Sequence, residues 1–184
     1  MEKDFKMTAT TLFGLEGVLA EELKNLGAQD VKEAVRSVSF RGDKGFMYKA
    51  NIALRTAVRI LKPIKICKIY DEEDLYDSIQ KIKWENYLDV EGTFAIGAVV
   101  NSKNFTTNSH YISLKSKDAV ADYFRHKYSK RPNVDLDYPD VKIHVHIQKD
   151  WCTISLDSSG DSLHKRGYRS ATNIAPINEV LAAG

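Results

Sequence analysis

The chain has 184 residues, with 27 Lys and Arg against 25 Asp and Glu and a formal net charge of +2. Its 43% hydrophobic and 28% charged content fits one globular domain or two small ones. No apolar run reaches the ~18 residues of a membrane span, no apolar stretch follows Lys3 and Lys6 as a signal peptide requires, and two cysteines build no disulfide framework. These features exclude a membrane-spanning or disulfide-stapled protein and make a reducing, cytoplasmic setting the expectation. The small net charge hides an uneven distribution. Asp71-Glu72-Glu73-Asp74 is acidic, Ser102 to Arg131 holds seven Lys/Arg against two Asp, and Lys165, Arg166 and Arg169 cluster again. For a polyanionic partner such patches matter more than the total.

Residues 7–11 read as a short strand. Leu15, Val18, Leu19, Leu23 and Leu26 follow helical spacing, and Gly27 is placed to end that helix. Val31 to Ala34 and Ser37 to Arg41 read as two strands around a turn. Phe46, Ala50, Ala53, Leu54 and Ala57 return to helical spacing. Val58 to Tyr70 is rich in strand formers, although Pro63 is expected to break or bend it. The order βαββαβ is the ferredoxin-like split motif, closing near residue 70.

A second α/β unit follows. Leu75, Ile79 and Ile82 form a short helical stripe behind the acidic cluster, whose charge suits a helix start. Phe94 to Val100 is a continuous apolar run, a buried strand. Ser113 to Tyr128 reads as a helix with Val120, Phe124 and Tyr128 inward. Val141, Ile143, Val145 and Ile147 alternate with Lys142, His144, His146 and Gln148, a half-buried strand. Cys152 to Leu156 reads as a last strand after a turn at Asp150-Trp151. The glycine-punctuated loop Ser159 to Arg169 leads to Ala175-Pro176-Ile177-Asn178-Glu179-Val180-Leu181, where a helix begins.

Catalytic chemistry finds little support. His144 and His146 share one strand face, but zinc needs a third and usually a fourth ligand, and Cys152 falls on the opposite, apolar side. Cys67 and Cys152 lack a His/Asn constellation, so neither reads as a nucleophile. The ten glycines form no cluster through which backbone could approach a nucleotide cofactor. No catalytic, cofactor-binding or metal-ligating residue is therefore assigned. The signal that remains is cationic and planar. Lys103, Asn104, Asn108, Lys115, Lys117, Lys130 and Arg131 interleave with Phe105, His110 and Tyr111, and Lys165, Arg166 and Arg169 follow later. Cations meet phosphates and planar groups stack on exposed bases.

The tail Ser159-Gly160-Asp161-Ser162-Leu163-His164-Lys165-Arg166-Gly167-Tyr168-Arg169, followed by Ala175-Pro176-Ile177-Asn178-Glu179-Val180-Leu181-Ala182-Ala183, resembles the entry to the catalytic domain of THUMP-containing RNA methyltransferases. It is similar in particular to the bacterial enzymes that methylate guanine N2 in large-subunit ribosomal RNA. Gly14-Leu15-Glu16 with Glu21 to Gly27, Tyr70 with Asp74-Leu75-Tyr76, Lys117-Asp118-Ala119, and Arg131 to Asp135 extend the likeness in order along the chain. The resemblance implies a ferredoxin-like domain over 1–70, a THUMP RNA-binding domain with a small mixed sheet over 71–157, and a linker with a first helix over 158–184, cut before a methyltransferase domain. It implies that S-adenosylmethionine serves that absent domain, that the family's Asn/Asp-Pro-Pro-aromatic motif lies there too, and that these residues only dock RNA. Ribosomal RNA is the first expectation and tRNA, through a tRNA-modifying relative, the second. The contrasting reading is a small self-contained α/β enzyme or metal-binding protein built around His144 and His146.

Overall fold

The computed structural model describes residues 4–102, 108–167 and 177–184. They form two compact units, one of residues 1–62 with 157–184 and one of residues 63–156. Each carries its own hydrophobic core.

The first unit follows the ferredoxin-like order: β1 (Phe5–Thr10), α1 (Glu16–Leu26), β2 (Gln29–Ala34), β3 (Ser37–Gly42), α2 (Lys44–Ala53) and β4 (Arg59–Lys68). The sheet order is β2-β3-β1-β4, with β1 antiparallel to both neighbours. Alternation puts Met7 and Ala9 of β1, and Val38 and Phe40 of β3, on one buried face. Leu19 and Leu23 of α1 and Ala50 of α2 complete that core. Gly27 ends α1 in the left-handed region, at φ 98°, and its N–H bonds back to the last turn. The Asp43 carboxylate caps α2 by accepting from the Phe46 N–H at 2.7 Å.

Of the break or bend expected at Pro63, there is no break: β4 runs on through it. β1 pairs with β4 only over Arg59 to Leu61. The missing proline N–H therefore removes no rung of that ladder, and the strand continues to Lys68.

The second unit holds α3 (Glu72–Gln80), β5 (Thr93–Asn101), α4 (Ser109–Tyr128), β6 (Asn133–Val134), β7 (Val141–Gln148) and β8 (Trp151–Asp157). Its strands lie in the order β4-β8-β7-β5-β6. β5 runs parallel to β6 and to β7, in register from Phe94↔Val141 to Asn101↔Gln148. The Ile69 N–H bonds the Asp150 carbonyl at 2.9 Å, tying the end of β4 to the turn before β8. Trp84, Phe94 and Phe124 fill the core with Leu75, Ile79, Val145, Ile147 and Ile154. Helix α4 starts four residues earlier than its apolar stripe indicates, because the Asn108 side chain accepts from the Tyr111 N–H and caps it.

The described part of the tail, within the stretch expected as linker and first helix, groups with the first unit. The Ser158 N–H and the Ser159 hydroxyl bond the carbonyl and N–H of Ile60, at 2.9 and 2.7 Å. Leu163 packs on the first core, and its N–H reaches the Val58 carbonyl. The short helix α5 (Glu179–Ala183) buries Val180.

Candidate nucleic-acid interface

Among the described basic residues of the second unit, Lys115, Lys117 and Lys130 each hold a carboxylate rather than standing as a free cationic face. On a helix, positions two apart differ by about 200°. Lys115 and Lys117 accordingly lie on different sides of α4. The Lys115 ammonium bonds Glu73 of α3 at 2.6 Å and sits over the Tyr76 ring. That hydrogen bond raises its pKa, against a smaller opposing effect of burial. Lys117 pairs with its neighbour Asp118 at 3.0 Å. Lys130 bonds Glu91 at 2.7 Å, which raises its pKa in the same way. Lys127 holds Glu85, and its hydrogen bond, helped by the Tyr123 hydroxyl, pulls that carboxyl from 4.5 to about 2. Glu73, Glu85 and Glu91 lie about 40 residues away in sequence from their cations, so no local pattern announced these pairs.

The Arg166 guanidinium is half-buried and donates to the carbonyls of Asn51 and Ile52, at 2.7 and 2.9 Å. It satisfies the C-terminal end of α2, where carbonyls lack helical partners. Arg166 is therefore bound within its own unit. Asn108 is occupied as the α4 cap. Lys103, Asn104 and Arg169, with Phe105, lie outside the described residues. Arg131 and Lys165 are exposed, and neither has an ion-pair partner among the described residues. Lys130 and Glu91 are both exposed, and water screens such a pair, so a phosphate can displace the carboxylate at small cost.

The apolar side of β7 faces the core through Ile143, Val145 and Ile147, and His144 and His146 alternate onto the other side. Opposite them on β5 stand Gly97 and Val99. Burial pushes the His146 pKa below its usual 6.5. Among the described residues no group of three or more His, Cys, Asp or Glu is placed to hold a metal ion. Cys152 is fully buried, and burial first, with Cys67 beside it, pushes its thiol up to about 12. A thiol so protonated is a poor nucleophile.

Sequence reasoning passed over Trp151 and Lys68. Trp151 is 51% exposed at the start of β8, and the Lys68 ammonium lies 5.3 Å from its ring centre. The available signal was a tryptophan beside a hairpin turn, followed by a strand whose inward residues begin at Cys152.

The family model for the RlmL ferredoxin-like domain matches residues 6–61, and that for the THUMP domain matches residues 70–157. The chain is thus a ferredoxin-like domain of the RlmL type followed by a THUMP domain, and belongs with the THUMP-containing proteins. Within that class it is homologous to the N-terminal part of rRNA methyltransferases of the K/L kind. It is 39% identical, over 183 residues, to "Ribosomal RNA large subunit methyltransferase K/L" of Syntrophotalea carbinolica, covering all of this chain and 26% of that protein. It is 43% identical to "Putative RNA methyltransferase slr0064" of Synechocystis sp., over 95% of this chain and 45% of that one. A solved structure described as "SMU.472, a putative methyltransferase complexed with SAH" superposes with a TM-score of 0.80 and 32% identity, over 100% of this chain and 48% of that chain. The chain therefore spans half or less of the length of these relatives. No described helix is long and apolar enough to cross a membrane.

Proposed function

We propose that this chain is the RNA-docking module of a larger, cytoplasmic, S-adenosylmethionine-dependent methyltransferase acting on guanine N2 of large-subunit ribosomal RNA. Residues 1–70 and 71–157 serve as its ferredoxin-like and THUMP domains, and 158–184 lead toward the catalytic domain. The observation that carries this reading is the end-to-end match of both domains to a relative named as a large-subunit rRNA methyltransferase. The described residues do not fit the cofactor. Of their positive-φ glycines, Gly14 stands in the turn between β1 and α1, and Gly27, Gly160 and Gly167 lie far from it in the chain, so they do not cluster into one glycine-rich loop. No methyl-transfer step is assigned to them; their task is to hold and orient RNA.

The cations offered to phosphate are Arg131, Lys117, Lys130 and Lys165, with Lys115 released from Glu73 on binding; Lys103 and Arg169, and the neutral amide Asn104, lie beyond the described residues. Arg131→Glu is the test. Phosphate contacts carry no base information. The exchange should therefore weaken binding to different rRNA stem-loops alike and lower the log–log salt slope by about 0.7 to 0.9. Stability should stay within ~0.5 kcal/mol, because the side chain is exposed and unpaired. Filter binding at several salt concentrations, with a thermal melt of each protein, reads both quantities. An unchanged slope would remove Arg131 from the interface.

A further inference from the structure

The sheet of the second unit has two unlike faces. Helices α3 and α4 pack on the face formed by Ile143, Val145, Ile147, Cys152 and Ile154. The alternate residues point to the other side, and toward the C-terminal ends of β5 and β7 that side is open. Exposed there are Lys68, Trp151, Gln148, Asn101, Val99 and Ile66. Residues 63–68, 93–101 and 141–148 of these strands contain no Asp or Glu, and in β8 the one acidic residue is Asp157, at the end far from Trp151. Lys149 adds a second exposed cation in the turn between β7 and β8, where its φ of 54° and its N–H bond to the Asn101 carbonyl fix the hairpin. On the helical side Glu73, Glu85 and Glu91 engage lysines, and the carboxylate next to Trp151 in sequence is Asp150, in the same turn as Lys149.

A half-exposed tryptophan on a sheet costs burial energy that a core position would recover. Here it lies under a lysine, with planar amides on β7 and β5. A strand face of this kind suits nucleobases, which stack on aromatic rings while cations take their phosphates. Gly97, exposed and with open space where a Cβ would stand, leaves the sheet flat beside it.

We propose that this open face is a stacking platform for an unpaired segment of RNA, with Trp151 beneath a base and Lys68 and Lys149 on the adjacent phosphates. The proposal rests on the RNA-docking reading above and assigns the part of the RNA that is not in a stem. Gln148 and Asn101 supply the donors and acceptors that would meet base edges. Lys68 swings from the Trp151 ring to phosphate as the base arrives.

Tryptophan emission tests this directly. The chain has two tryptophans, and Trp84 is fully buried, so a ligand-induced change reports on Trp151. The probe is a single-stranded oligouridylate ten nucleotides long, added to the 184-residue chain at low salt. Saturable quenching is expected. Trp151→Ala should weaken binding roughly 5-fold or more, the effect of losing one stacked base, while Trp151→Phe retains most of it. Lys68→Glu should weaken binding and reduce its salt dependence. If Trp151→Ala melts early, the wild-type quenching and the Lys68→Glu titration decide instead. Binding of the oligonucleotide with neither quenching nor sensitivity to Trp151→Ala would overturn the platform and leave RNA docking elsewhere. Self-association of the chain that Trp151→Ala abolishes, with RNA binding untouched, would overturn it in favour of a protein partner. Failure of the wild-type chain to bind either this probe or an rRNA stem-loop would sink the docking reading itself.

Discussion

Trp84→Ala is expected to destabilise the second unit by about 4 kcal/mol, the range found when a large buried aromatic is cut to a methyl. Trp84 has no exposed surface and lies at the centre of the core that α3, α4 and the strands share. Its indole N–H donates to the Ile79 carbonyl at 3.0 Å, in the last turn of α3. The substitution therefore removes packing on several elements, while the Ile79 carbonyl keeps the Ile82 N–H as a donor at 3.1 Å. Urea unfolding followed by far-ultraviolet circular dichroism reads the loss. A cost below ~1 kcal/mol would mean that the core does not depend on this ring.

Asp157→Ala is expected to have the next largest effect, and it acts on the first unit. The Asp157 side chain is only 3% exposed and pairs with Arg59 of β4. It also accepts from the Ser159 N–H at 2.9 Å, holding the turn that feeds the returning tail. Removing one member of a buried pair strands the other, typically at ~3–5 kcal/mol. Arg59 keeps about a third of its side chain in water, so the expected loss is nearer 2 kcal/mol. A double-mutant cycle with Arg59→Ala separates the pair from the rest of Asp157's contacts. A coupling energy near zero would show that water replaces the pair without cost. Loss of the pair should also loosen residues 158–163, whose bonds to Val58 and Ile60 lie one or two residues away, and hydrogen exchange of the Leu163 amide reads that.

Much of this architecture was legible before any coordinates. The period-two alternation of β7 and the helical stripe of α1 follow from local packing rules, and the βαββαβ order emerges from them. What remained hidden depends on partners distant in sequence. The path of β4 through Pro63 depends on where β1 stops pairing, which its own residues do not encode. The return of residues 157–167 to the first unit rests on hydrogen bonds spanning about 100 residues, from Ser158 to Asn51 and from Arg166 to the end of α2. A loop rich in Gly, Ser and Arg has the composition of an exposed connection, and that composition does not reveal orphan carbonyls waiting for a guanidinium.

The interface shows the same division. The cationic character of 102–131 was plain, but a count of lysines says nothing about which already hold a carboxylate. Lys115 and Lys117 could have been separated by helical phase alone. Lys127 and Lys130 could not, because Glu85 and Glu91 reach them only through the fold. The His144–His146 pair was correctly placed on one strand face, and Cys152 on the other. The significance of Trp151 emerged only once β4 and β8 were neighbours, with Lys68 over its ring.

The central claim is that these residues dock RNA chiefly through phosphates. The most direct test is a titration of the 184-residue chain with a large-subunit rRNA stem-loop at 50 and 200 mM salt. With roughly two to four net phosphate contacts in play, affinity should fall about 7- to 150-fold across that interval. A dissociation constant that does not change with salt, or no binding at either concentration, would contradict the account.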